Sequence, residues 1–263
     1  GGIAADHPEL AGRVRRGFSA FPDEAPICNA HGTAVAGAVG GLTLGVAPEV
    51  EIVDVKMVEC RRMRGTIEGI VDATKWVIAD VRANPGRRAV ANWSFVADTG
   101  TFVPALDSAI AALAKAGVPV IVSAGNIDMN ACRISPANAP GSISVGASAY
   151  ARDRDGQAVD RRAPGTAFGP CIDVYAPGDS VMLPGFTAAQ EHNMLKRDIT
   201  NLNQTPPSDW ADFFNLDLFD GTRALRRSPG HPYMPQSASL VGLARRGVIP
   251  QNNTITKCLF MTQ

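Results

Sequence analysis

His31-Gly32-Thr33-Ala34-Val35-Ala36-Gly37 is the stretch that decides how this chain is interpreted. It predicts a helix that begins at His31, and its small residues let the helix pack closely against a sheet. A histidine at a helix start can project into a cleft. Because it titrates near neutral pH, it can take a proton from a nucleophile and return it to a leaving group. Taken alone, the stretch equally allows a histidine that only fills a surface or core position.

The size and composition of the chain favour one globular domain. The 263 residues are 45% hydrophobic, which is enough for a sizeable core, so we expect a single domain over residues 1–263. No apolar run approaches the length that spans a bilayer. Lysine plus arginine balance aspartate plus glutamate at 25 each. We therefore expect neither a membrane nor a nucleic acid as a partner.

Short apolar segments alternate along the chain with stretches of helical spacing. Apolar residues recur at helical spacing between Ile67 and Val81 and again between Leu106 and Ala114. The segments that resemble buried parallel strands are Glu51–Lys56, Ala89–Ser94, Val118–Ser123, Ser142–Ala147 and Cys171–Ala176. This alternation predicts an α/β fold with an open, mostly parallel sheet and helices on both faces. In such folds ligands bind beyond the carboxyl ends of the strands.

Several segments, in a fixed order, carry a family resemblance. In chain order they are Gly2–Leu10, His31–Gly37, Gly45–Pro48, Ala89–Ser94, Val122–Asn126, Ser144–Ser148 and Ile172–Gly178. They resemble the motifs of the subtilisin-like serine proteases, the subtilases, and are most similar to the branch that contains proteinase K and aqualysin. The resemblance implies the subtilisin-like fold. It also implies an endopeptidase that hydrolyses peptide bonds through an acyl-enzyme.

The resemblance assigns catalytic roles to two residues. His31 matches the general base, which takes the proton of a serine hydroxyl and later gives it to the leaving amine. Asn126 matches the side-chain amide that donates to the oxyanion, and the small Ala124 and Gly125 before it leave room for a substrate. An asparagine that only completes a local turn remains the alternative.

A second set of residues matches the peptide-binding segments of the family. They are Ser94, Phe95, Val96, Ser123, Ala124 and Gly125. Residues 94–96 match an edge that pairs with an extended peptide as an added strand. The family usually has glycine after the leucine-like position, whereas Val96 and Ala97 follow here, so the side-chain preference stays open. The implied partner of this chain, which we expect to be a monomer, is a polypeptide substrate or an inhibitory propeptide.

Five cysteines stand at positions 28, 60, 132, 171 and 258, and none forms a CxxC pair that would indicate a zinc or redox site. The resemblance implies two disulfides, Cys28–Cys60 and Cys132–Cys171, each worth about 3–4 kcal/mol in the chain-entropy model. Disulfides would indicate an oxidising compartment and therefore a secreted protein. The alternative is five reduced, buried thiols. Cys258 has no assigned role.

A calcium site is a further implication of the resemblance. Asp173, with the backbone carbonyls of Pro140 and Ser142, matches a site of proteinase K-like members, and hard oxygen ligands suit calcium. The alternative is an aspartate that only bonds to neighbouring backbone. The chemistry itself requires no cofactor.

Two of the expected catalytic residues have no match in the sequence. The catalytic aspartate should precede a segment that Gly1-Gly2-Ile3 matches, so we expect it before residue 1 and interpret the chain as truncated there. Asp6 matches a surface position instead. The family's Gly-Thr-Ser motif is also missing. Its nearest counterpart, Asp220–Ala224, has Arg223 in place of serine, and alignment back from Leu240–Ala244 places Met234 there.

The missing nucleophile leaves several hypotheses open. Ser228, Ser237 and Ser239 lie nearby but lack the required glycine turn, so we expect the chain as written to be inactive. A non-catalytic pseudoprotease that binds extended peptides is the alternative function. The polar stretch 184–235 is atypical, and we expect it to be disordered or to reflect an error in the gene sequence. An unrelated hydrolase would need a Gly-x-Ser-x-Gly motif, which does not occur. The segments around 239–244 and 253–259 resemble two C-terminal helices of the family.

Overall fold

The computed structural model describes residues 1–97, 102–179, 181, 183–185 and 257–262. The helices in this part of the chain are α1 (His31–Gly40), α2 (Ile67–Ala83) and α3 (Pro104–Lys115), with a short 3-10 turn at Ala131–Arg133. The strands are β1 (Val14–Ser19), β2 (Glu51–Lys56), β3 (Ala89–Trp93), β4 (Val120–Ser123), β5 (Ser142–Arg152), β6 (Ala158–Arg162), β7 (Val174–Pro177) and β8 (Lys257–Thr262).

The strands form one open sheet in the order β1-β2-β8-β3-β4-β5-β6, and β7 also pairs with β5. Every neighbouring pair is parallel except β5 with β6. The strand β8 joins β2 to β3, so that Leu259 is in register with Val53 on one side and Ala91 on the other. The predicted open, mostly parallel sheet is therefore confirmed.

Helices cover both faces of this sheet, as the sequence predicts. Side chains alternate along a strand, so neighbouring residues of β2 belong to different cores. Val53 packs in the cluster that includes α2 and α3, whereas Ile52 packs with Ala36 of α1 and Val90 of β3. The sheet is thus buried on both sides, which explains the nearly continuous apolar sequence of its central strands.

The ends of α2 and α3 follow from local sequence. Thr66 caps α2, because its hydroxyl accepts a hydrogen bond from the Gly69 N–H at 3.0 Å. Pro104 stands in the first turn of α3, where its missing N–H costs nothing. Beyond the end of α3, Gly117 adopts a left-handed φ of 80°.

Several sequence-based boundaries need correction. The predicted strands at Val118 and Cys171 begin later, at Val120 and Val174, and the one at Ser142 continues to Arg152. Residues 257–259, expected in a closing helix, lie in β8. The strands β1 and β6 were not predicted. Strand β1 was not predicted because it contains Arg15 and Arg16, which are typical of a solvent-exposed segment. Their ion-pair partners Glu51, Asp80 and Asp54 lie far away in sequence and close only in the folded protein.

Some predictions fall outside the described residues. These are the positions of Arg223, Met234, Ser228, Ser237 and Ser239, most of the stretch 184–235, and the helix expected around 239–244. Within the described ranges, no helix has the length and apolar character needed to cross a membrane.

Candidate functional site

His31 is the first residue of α1, and its side chain is exposed. Its backbone N–H donates to Asn29 Oδ1 at 3.1 Å, which fixes the chain as it enters the helix. The helix packs closely where the sequence is small. Pro184 lies so near Gly37 that a Cβ placed there would be 1.9 Å from the proline ring, so a larger side chain would displace the helix.

The buried face of the first turn of α1 is tied to the N-terminal segment. Thr33 is fully buried, and its Oγ1 accepts a hydrogen bond from the Ala4 N–H at 2.9 Å. The neighbouring Ile3 N–H donates to Asp54 Oδ2 at 3.1 Å, and the Arg16 guanidinium also donates to that oxygen. Burial raises the pKa of Asp54, and the nearby Arg16 charge opposes this shift.

A polar cluster that sequence reasoning missed holds residues 20–30, the loop between β1 and α1. Lys56 Nζ donates to Glu24 Oε2 at 3.2 Å and to the Ala25 carbonyl at 2.8 Å. The Cys60 N–H donates to the same Glu24 oxygen at 2.8 Å. The Cys28–Cys60 disulfide also links this loop covalently to the segment after β2. A lysine at the end of an otherwise buried strand was the available signal, because a buried charge needs a partner.

The candidate peptide-binding edge follows β3. Phe95 is buried and stacks on Trp93 with ring centroids 5.3 Å apart, which fixes the chain beyond the strand. Within the described ranges, the backbone groups of Phe95 and Val96 make no hydrogen bond to other backbone, whereas the Ala97 N–H donates to the Ser135 carbonyl at 2.8 Å. Among the described residues, nothing therefore occupies these backbone groups, and an added strand could use them.

Residues 123–125, at the end of β4, form a turn that backbone hydrogen bonds hold in place; we call it the corner. The Ala124 N–H donates to the Val145 carbonyl at 2.9 Å, and the Gly125 carbonyl accepts from the Ala167 N–H at 2.8 Å. Gly125 has a left-handed φ of 96°, and a Cβ on it would lie 3.4 Å from Val96 Cγ1. Glycine is therefore favoured here for both backbone conformation and space. The Ser123 hydroxyl accepts from the Gly125 N–H at 3.2 Å.

Asn126 follows this corner and is exposed. In the part of the chain that the structure describes, its side-chain amide makes no hydrogen bond. The local-turn alternative for Asn126 would require such a bond. No described residue therefore competes with a ligand oxygen for this amide.

Parallel pairing brings these segments to one edge of the sheet. The loop before His31 contacts the carboxyl end of β2 through Lys56, and residues 94–96 and 123–126 follow the carboxyl ends of β3 and β4. This is the edge where open α/β sheets bind ligands. This edge therefore carries the imidazole of His31, the segment 94–96 and the amide of Asn126, which are the candidate site residues.

Asp173 lies beside β5 with its carboxylate partly engaged. Its Oδ2 accepts from the Ser144 N–H at 2.7 Å, as the backbone-bonding alternative expects. The side chain is exposed, and no described residue hydrogen-bonds its other oxygen. Pro140 lies in the turn that leads into the same strand, and Ser142 is the first residue of that strand. This set contains oxygen donors only, so it fits calcium.

The two disulfides implied by the resemblance are present. Cys28 pairs with Cys60 across a Cα–Cα distance of 4.8 Å, and Cys132 pairs with Cys171 across 5.1 Å. The alternative of reduced thiols at these four positions is therefore wrong for this structure. Cys258 lies in β8, in register with Ile52 and Val90.

Comparisons with known proteins agree with one another. A family model described as the subtilase family matches residues 2–211. Subtilisin-like protease 7 of Arthroderma otae is 38% identical over 180 residues, which are 68% of this chain and 42% of that protein. An extracellular serine proteinase of a Thermus species is 35% identical over 196 residues, which are 74% of this chain and 44% of that protein. The chain thus spans less than half the length of these relatives.

A solved structure agrees with the sequence comparisons. The crystal structure of a cold-adapted subtilisin-like serine proteinase matches with a TM-score of 0.58 and 28% sequence identity. The match covers 87% of this chain and 82% of that chain. Fold and sequence therefore point to the same group of proteins.

Proposed function

Because this chain belongs to the subtilase family, we propose that residues 1–263 form a single subtilisin-like peptidase domain whose cleft lies at the carboxyl edge of the sheet. The observation that supports this most strongly is the placement of His31, residues 94–96 and Asn126 on that edge. The substrate would be a polypeptide in extended form, and an inhibitory propeptide could use the same edge. The protein would act as a monomer.

The proposed chemistry is acyl transfer. An extended peptide would pair with the backbone at residues 95–96 and lie against the corner at residues 123–125. In an intact site, His31 would take the proton of a serine hydroxyl as it attacks the scissile carbonyl. The Asn126 amide would donate to the oxygen that becomes negative, and His31 would then give its proton to the leaving amine.

The residues that match the nucleophile position in the sequence cannot form an acyl-enzyme. They are Arg223 or Met234, depending on which flank is aligned. We therefore propose that the chain as written does not hydrolyse peptides. The alternative function is a pseudoprotease that keeps the peptide-binding edge. It is favoured by residues 95–96, whose backbone makes no hydrogen bond to other backbone in the described part of the chain.

Two properties accompany this proposal. The disulfides and the extracellular serine proteinase among the relatives support secretion. The open Asp173 oxygen supports a structural calcium ion held by Asp173 with the Pro140 and Ser142 carbonyls. When bound, the ion would tie the start of β5 to the segment before β7, and it would take no part in the chemistry.

Incubation with a fluorescent extended octapeptide separates these functions, with anisotropy reporting binding and chromatography reporting cleavage. We expect the protein to bind the peptide without cleaving it. Val96→Pro removes one backbone N–H of the edge and should abolish binding, whereas Val96→Ala should bind the peptide as the parent does. Cleavage that His31→Ala abolishes would overturn the inactivity and establish the peptidase. A folded protein that neither binds nor cleaves the peptide would overturn the cleft itself.

A further inference from the structure

The two sulfurs of the Cys28–Cys60 disulfide have unlike surroundings. Lys56 Nζ donates to Cys60 Sγ at 3.6 Å. Cys28 Sγ instead lies 3.9 Å from the Val58 carbonyl oxygen. The Ala25 carbonyl oxygen also lies 3.7 Å from Cys60 Sγ. It accepts a 2.8 Å hydrogen bond from Lys56, so the ammonium group contacts both this oxygen and Cys60 Sγ. The Lys56 ammonium therefore contacts Cys60, whereas Cys28 faces a carbonyl oxygen. The Glu24 carboxylate lies within 4.8 Å of both sulfurs, so it does not distinguish them.

The ammonium group is fixed in this position. The Lys56 side chain is 3% exposed and is held by Glu24 as well as by the Ala25 carbonyl. Ligand atoms of Glu24, Cys28 and Cys60 lie within 4.8 Å of one another, which is close enough for a metal ion. The Lys56 ammonium already contacts Glu24 and Cys60, however, so the cation of this cluster is the lysine.

A cation beside one sulfur determines how the disulfide exchanges with thiols. In exchange, a thiolate attacks one sulfur along the S–S axis and the other sulfur leaves as a thiolate, faster when that thiolate is stabilised. Lys56 would stabilise a Cys60 thiolate. A thiolate on Cys28 would face the Val58 carbonyl and be disfavoured.

We propose that Cys28 is a site of covalent modification by small thiols, with Cys60 as the leaving group. The thiolate sulfur bonds to Cys28 Sγ, the S–S bond breaks, and its electron pair stays on Cys60 Sγ beside Lys56. The products are a mixed disulfide on Cys28 and a Cys60 thiolate, so atoms and electrons balance. The inference does not depend on peptidase activity.

The modification would act on the approach to α1. Cys28 lies three residues before His31, and the disulfide links this part of the loop to the segment after β2. After opening, Glu24 would still bind Lys56 and the Cys60 N–H, so the start of the loop would stay in place. Freedom would be gained between residue 25 and His31.

The test is the position of the adduct. The folded protein is incubated with glutathione near neutral pH, quenched into mild acid that contains N-ethylmaleimide, which alkylates thiols at that pH, and mapped by mass spectrometry. We expect glutathione on Cys28 and the alkyl group on Cys60, with a preference of about three- to tenfold. Equal labelling, or glutathione mainly on Cys60, would overturn the proposal.

Substitutions identify the cause of the preference. Lys56→Gln is expected to slow opening about three- to tenfold and to remove the preference, while Lys56→Arg keeps it. Lys75→Gln, at an exposed lysine, is the matched control and should change neither. The Cys132–Cys171 disulfide is an internal reference, because no described cationic group hydrogen-bonds its sulfurs. If Lys56→Gln does not fold, the proposal is still tested by the position of the glutathione adduct in the unaltered protein and in Lys56→Arg. A preference that survives in a folded Lys56→Gln would contradict the proposal.

Discussion

Lys56 Nζ lies 3.2 Å from Glu24 Oε2, and this ion pair fastens the loop before His31 to the carboxyl end of β2. The lysine side chain is 3% exposed and the glutamate side chain 29% exposed, so water screens the pair only in part. The position of the candidate general base therefore depends on a contact between the preceding loop and β2.

Glu24→Gln tests this contact. It leaves the Lys56 ammonium buried without its counter-charge, and we expect a loss of about 1–3 kcal/mol in the free energy of unfolding. The exposed pair Lys75–Asp72 is the control, because Asp72→Asn should cost less than about 0.5 kcal/mol. Urea denaturation of both variants measures the difference, and equal effects would show that Glu24 does not fasten the loop.

Thr33→Val tests the connection between α1 and the N-terminal segment. The change removes the oxygen that accepts from the buried Ala4 N–H, with little change in shape, so we expect a loss of about 1–3 kcal/mol in the free energy of unfolding. Thr33→Ser keeps that oxygen and should recover most of the hydrogen-bond contribution. A serine variant as unstable as the valine variant would mean that packing dominates.

Asp160→Asn tests the pH dependence of stability. Burial raises the pKa of Asp160 from 3.8 to about 6, so the folded state favours the protonated acid. Its stabilising contribution is complete below about pH 4 and is lost as pH rises through about 6. We expect Asp160→Asn to match the parent at pH 4 and to be about 1 kcal/mol more stable above pH 7, a value discounted for partial exposure. Thermal unfolding at both pH values measures this, and a constant difference would contradict it.

Asp173→Asn tests the proposed calcium ion. Millimolar calcium should raise the melting temperature of the parent protein, because the ion binds only the folded state, and EGTA should reverse the effect. In Asp173→Asn the calcium-dependent part should disappear. Asp179→Asn serves as a control outside the proposed ligand set. A parent protein whose melting temperature does not respond to calcium would contradict the site.

Much of the fold can be predicted from the sequence because its central strands are short and mostly apolar. Glu51–Lys56 was predicted with the observed limits, since the β-branched Ile52, Val53 and Val55 are buried on the two faces of the sheet. The strand Val14–Ser19 was missed because its arginines indicate a solvated segment, and only the fold shows their acidic partners. The strand Lys257–Thr262 was missed because both of its neighbours lie far away in sequence.

The candidate site also has a part that the sequence indicates and a part that only the structure shows. Motifs point to His31 and Asn126 as candidates, because the proposed chemistry needs particular residue types at particular places. The Glu24–Lys56 contact that holds the loop is invisible to motifs, since it joins residues 32 positions apart in sequence and only burial makes it necessary. Position 56 was predicted as part of a strand, but nothing in the sequence indicated its partner.

Labelling with a fluorophosphonate, which reacts with activated serines, tests the central claim that these 263 residues keep a subtilase cleft without a nucleophile. Cooperative unfolding and two intact disulfides first establish that the sample is folded. The proposal predicts no adduct on any serine of this chain, together with specific binding of the extended octapeptide. An adduct on one serine, lost in His31→Ala, would contradict it and identify the nucleophile.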